Sequence, residues 1–81
     1  MAEFEIGDKL LYAGSHKLNT GIWVITELTA KVLWVTRIGD GAEDVFDRLD
    51  EYLPNYLIPL PKNLSDKQLK ALTSLLGPSS V

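Results

Sequence analysis

Eighty-one residues with a net charge of −3 and no cysteine make one small domain without a disulfide framework or a thiolate metal site. His16 is the lone histidine, which excludes the common multi-histidine metal centres. No apolar run approaches the roughly 20 residues that span a bilayer, and the opening MAEFEIGDKL has acids where a signal peptide needs positive charge. The expectation is a soluble, cytoplasmic protein.

In chain order, Gly7-Asp8 signals a turn. Lys9–Ala13 is a short strand with Leu10 and Tyr12 on one side and Leu11 on the other. Gly14–Thr20 is a polar loop, and its histidine, His16, reads as solvated. The runs Gly21–Leu28 and Lys31–Ile38 are rich in Val, Ile, Thr and Trp, the composition of strands. They flank Thr29-Ala30 as an antiparallel hairpin. Strict alternation places Ile22, Val24, Thr26 and Leu28 on one face of the first strand, and Trp23, Ile25, Glu27 and Thr29 on the other. Trp23 and Trp34 read as core, and whichever stays partly exposed becomes a binding candidate.

Gly39-Asp40-Gly41 suggests a type I′ turn and a further strand over about Glu43–Phe46. A helix over about 42–53 competes with that strand. Val45, Phe46, Leu49, Tyr52 and Leu53 recur at helical spacing. Asp40 and Glu43 match a capping box, and Pro54 would end the helix. Both readings stand. Tyr56–Leu60 is a last strand, placed at a sheet edge by Pro59.

Ser65 and Gln68 form an S-x-x-Q capping box at the start of a C-terminal amphipathic helix over 65–76, with Leu64 and Leu69 as a hydrophobic staple. Leu69, Leu72, Leu75 and Leu76 make its apolar stripe. Gly77-Pro78 stops it, leaving a domain over 1–77 and a frayed tail over 78–81. The stripe packs on the chain's own barrel or, alternatively, on a partner, including a homodimer through Leu69, Leu72 and Leu76.

Charge is uneven. Asp40–Glu51 holds six carboxylates against Arg48 alone, a net of −5, so the rest of the chain carries +2. Such a field repels phosphate and attracts basic surfaces. Catalytic signatures are missing. Gly39-Asp40-Gly41 lacks the Gly-Lys-Ser/Thr ending of a phosphate loop, the acids lack EF-hand spacing, and Asp47 with Glu51 shows no sign of a buried pocket. A non-enzymatic chain without metal or cofactor is expected.

Phe4–Tyr12 (an apolar residue, Gly-Asp, then a strand), Gly21–Ile25 and Tyr52–Leu60 resemble the corresponding parts of small SH3-like barrels of the Tudor and KOW type, over residues 4–60. The resemblance implies a mainly β fold, a barrel of about five antiparallel strands, with the C-terminal helix outside it. The 42–53 helix would make it α+β. The resemblance also implies binding of peptides, nucleic acid or protein machines. From the Tudor type it implies an aromatic cage, for which Tyr12, Trp23, Trp34 and Phe46 are candidates. KOW-type members touch RNA or RNA polymerase, and the acidic segment counts against direct RNA contact.

The functional expectation is a protein-interaction module, adaptor or regulator, that binds a partner with a basic surface. Asp44, Asp47, Asp50 and Glu51 would make the electrostatic contacts, with Tyr52 or Trp34 as anchor. One alternative is a small viral or phage-type inhibitor occupying a nucleic-acid-binding surface of a host enzyme. Another is a nucleic-acid- or RNA-polymerase-associated barrel using Lys9, Lys17, Lys31 and Arg37. A third is a structural subunit of a larger assembly.

Overall fold

The β-branched runs form strands in a computed structural model that describes residues 4–76. The order is β1 (Lys9–Tyr12), a 3-10 turn (Lys17–Asn19), β2 (Gly21–Leu28), β3 (Val32–Arg37), β4 (Glu43–Asp47), a one-turn α1 (Leu53–Tyr56), β5 (Leu57–Pro59) and α2 (Asp66–Leu76). The strands pair antiparallel in the spatial order β4-β3-β2-β1-β5. This is an open five-stranded sheet with β4 and β5 as its edges, where a closed barrel was expected. Among the described residues no helix is long and apolar enough to cross a membrane.

The β2–β3 hairpin departs from strict alternation. Ile25 faces Val35 and Glu27 faces Trp34, so Thr26 is an extra residue, a β-bulge. Its hydroxyl donates to the Trp34 carbonyl. The bulge shifts the parity of β2. Trp23 and Ile25 belong to the core before it and Leu28 packs on the core after it, so Leu28 lies on the face opposite to the one expected. Thr29 closes the hairpin, its hydroxyl accepting from the Lys31 and Val32 amides.

The inner face carries the core: Leu10, Tyr12, Trp23, Ile25, Leu33, Val35, Phe46, Leu53 and Leu57. Trp23 is 2% exposed, and its indole N–H donates to the Asn19 carbonyl at 2.9 Å, so burial leaves no polar atom stranded. Phe46 meets Trp23 edge-on at 6.0 Å and stacks on Tyr12 at 6.0 Å. On the other face α2 contacts β2. Ile22, of opposite parity to Trp23, is fully buried, and Leu69 of α2 is buried. The leucine stripe is therefore used at Leu69, while Leu75 is 82% exposed. Leu69 serves the chain's own fold and is not free for the homodimer surface expected with Leu72 and Leu76.

The capping box forms as expected. The Ser65 amide donates to Gln68 Oε1 and the Gln68 amide to Ser65 Oγ. The stop at Gly77-Pro78 and the tail over 78–81 lie outside the described residues.

The 38–41 connection does not adopt type I′ geometry. That turn needs positive φ at both central residues, and only the glycines, Gly39 and Gly41, adopt it. Asp40 instead accepts a fork of hydrogen bonds from Arg37 Nε and Nη2 and another from the Ala42 amide. Arg37 and this amide hold the Asp40 carboxyl down at about 2. Arg37 also lies over the Trp23 ring, 5.0 Å from its centroid. Its stem crosses Gly21 so closely that a Cβ there would sit 2.7 Å from Arg37 Cδ.

After that turn the chain forms β4, not the 42–53 helix. Glu43–Asp47 pairs along β3 from Thr36 to Val32, and the tertiary pairing overrides the helical spacing. Pro54 does not end a helix either. It sits in the first turn of α1, where a missing amide costs nothing.

Candidate functional site

β4 sends its residues alternately to the two faces of the sheet, and this divides the acidic segment. Phe46 is core, so Asp44 shares the inner face while Glu43, Val45 and Asp47 share the outer one.

On the inner side a groove of about 440 Å³ opens between β4, the β1–β2 loop and the turn before β5. Tyr12, His16, Asp44, Phe46, Asp50 and Tyr56 are among its lining residues. Tyr56 donates its hydroxyl to Asp50 Oδ2 at 2.6 Å, and the Tyr52 amide donates to Asp50 Oδ1. These two bonds hold the Asp50 carboxyl below the usual carboxylate range. Burial first, then the hydrogen bond to Asp50 and its charge, pushes the Tyr56 phenol up to about 12. At neutral pH the groove therefore has an ionised carboxylate beside a protonated phenol. Tyr12 and Phe46 are buried, and Tyr12 tilts against Tyr56 at 5.8 Å. His16 is exposed at the rim, and its amide donates to the Tyr12 hydroxyl.

On the outer side Glu27, Trp34 and Val45 lie in one cross-strand row, with Glu43 and Asp47 two residues to either side of Val45. Trp34 is 47% exposed and Val45 41%. Trp34 is therefore the exposed tryptophan and Trp23 the core one. Tyr12, Trp23 and Phe46 share the core, while Trp34 sits on the opposite face. The four aromatics do not converge into a cage.

The six expected contact residues thus fall into three groups. Asp44 and Asp50 meet in the groove. Trp34 and Asp47 belong to the outer face. Glu51 and Tyr52 sit in the turn after β4, both exposed, with Tyr52 at 61%. Groove residues missed by sequence reasoning are Asn19 and Tyr56. The alternation of β1 did place Tyr12 inward, but nothing in the spacing of Asp50 and Tyr56 announces their hydrogen bond.

The two arginines beside the acids are otherwise engaged. Arg37 pairs with Asp40 and donates to the Leu18 and Thr20 carbonyls. Arg48 donates to the Thr29 carbonyl and lies over the Phe4 ring. Lys62 pairs with Glu5 and Asp8. Among the described residues, Glu43, Asp44, Asp47, Asp50 and Glu51 have no cationic partner within ion-pair distance. Compared with protein-family models, curated proteins and solved structures, the chain matches none.

Proposed function

We propose that this chain is a non-enzymatic protein-interaction module of SH3-like build, an adaptor or regulator. It binds a protein partner with a basic surface through β4 and the turn that follows. A cytoplasmic setting belongs to the same proposal.

One observation carries it. Five carboxylates, at Glu43, Asp44, Asp47, Asp50 and Glu51, flank one edge strand with no cation within ion-pair distance among the described residues, while Arg37 and Arg48 bond to other groups of the fold. Together they give a one-signed field that speeds encounter with a basic surface. Each exposed pair adds only about 0.2–1 kcal/mol, so affinity also needs an apolar anchor. Trp34 and Val45 supply one between Glu43 and Asp47.

The test is affinity capture from the native host's lysate. Wild type is compared with a variant carrying Lys at Asp44, Asp47, Asp50 and Glu51, after circular dichroism has shown that the variant folds. One protein captured by wild type and lost with the variant is the expected result. A partner retained equally by both overturns the acidic-face reading.

A further inference from the structure

We propose that the free edge of β4 is a strand-addition site for an extended, basic segment of the partner protein. This deepens the acidic-face reading and rests on it. Antiparallel pairing alternates between residues bonded to the neighbouring strand and residues whose backbone groups point away. Arg37 donates its amide to the Ala42 carbonyl and Arg48 donates to the Lys31 carbonyl. In the same register, Val35 faces Asp44 and Leu33 faces Phe46. Ala42, Asp44, Phe46 and Arg48 thus bond toward β3, and Glu43, Val45 and Asp47 turn their amides and carbonyls outward.

Two of these outward groups are occupied. The Val45 amide donates to Asp44 Oδ1 at 2.7 Å, and the Asp47 carbonyl accepts from the Asp50 amide. Among the described residues, the Glu43 amide and carbonyl, the Val45 carbonyl and the Asp47 amide have no protein partner. They form a ready ladder at two-residue spacing. An incoming strand gains these backbone bonds, and its side chains alternate between the Asp44–Asp50 groove and the Trp34–Val45 row.

The occupant follows from charge. A second copy added edge to edge would set Glu43, Asp44 and Asp47 against the same acids, and like charges across a ladder repel. A phosphate backbone meets the same repulsion. Lysine or arginine is attracted on both faces of β4. A cation on Asp44 also draws that carboxylate off the Val45 amide and frees the donor for the new strand. The opposite edge offers less, since β5 has three residues and includes Pro59, which lacks a donor.

The probe is an acetylated, amidated heptapeptide alternating Lys or Arg with Val, titrated into the isotopically labelled full chain at low salt. Saturable binding is expected, with the Glu43, Val45 and Asp47 amides gaining protection from hydrogen exchange. Val45→Pro removes one outward donor and no β3–β4 bond. It should weaken binding about tenfold, the worth of one interstrand hydrogen bond.

Failure of the peptide to bind wild type, or binding without protection of those three amides, overturns strand addition. If Val45→Pro binds as wild type does while the Lys variant loses binding, strand addition falls and the acidic face stands. If both variants bind normally, both readings fall. A dimer of the chain abolished by Val45→Pro would make a second copy the occupant and overturn the basic segment. Should Val45→Pro fail to fold, amide protection in wild type decides alone.

Discussion

The two faces of this sheet carry one tryptophan each, and they are treated in opposite ways. Trp23, on the inner face, is enclosed by aromatic and aliphatic neighbours, and its indole N–H is bonded to the Asn19 carbonyl. Trp34, on the outer face, is left half open between Glu27 and Val45. The outer face is not uniformly bare, because Ile22, of opposite parity to Trp23, is buried at the other end of the hairpin and α2 contacts β2. The chain thus covers the apolar surface it needs for folding and leaves one aromatic row, rimmed by acids, for something else. The lesson is that the exposed tryptophan, not the buried one, belongs in a functional argument, because a large apolar side chain left open is the costlier choice.

Substitutions can break that contrast. The largest effect should come from Trp23→Ala, which empties the core and leaves the Asn19 carbonyl without its donor. About 3–5 kcal/mol should be lost in urea unfolding, enough to unfold much of a small domain. Leu69→Ala should cost about 2 kcal/mol by loosening α2 from β2. A loss below about 0.5 kcal/mol would show that the helix contributes little to the outer face. Trp34→Ala should change stability by less than about 0.5 kcal/mol and yet weaken partner capture. A stability loss matching that of Trp23→Ala would erase the distinction between the faces.

The smallest effect concerns the groove. The Tyr56 phenol sits above its ordinary value of 10.0, at about 12. A folded-state pKa raised in this way stabilises the fold fully below pH 10, and the contribution is lost as pH rises from 10 to about 12. Phenolate absorbance should show one late-titrating tyrosine. Asp50→Asn should move its midpoint downward while leaving it above 10, because burial is the larger cause. An unmoved midpoint would mean that Asp50 and Tyr56 are not bonded in solution.

Much of the fold was legible where the signal is local. The Ser65–Gln68 box forms as its spacing requires, and β1 buries Leu10 and Tyr12 as alternation places them. Legibility ended where a distant partner decides. Residues 42–53 fit both a strand and a helix, and only the row of β3 backbone groups from Thr36 to Val32 selects the strand. The Asp-Gly signal at Asp40 marked a real turn but missed its type, because Arg37, a side chain from the preceding strand, captures the aspartate. For the candidate site, composition located the acids, but the sheet sorted them into a groove pair, an outer-face group and a turn.

The sequence by itself determined the central hairpin, the capped C-terminal helix and the concentration of negative charge, since each depends on residues close along the chain. Tertiary structure alone decided the bulge at Thr26 and the open edges at β4 and β5. It also decided which tryptophan is exposed and that Asp44 and Asp50 share a groove. Those depend on register between strands, and one extra residue in a strand turns every side chain after it to the opposite face.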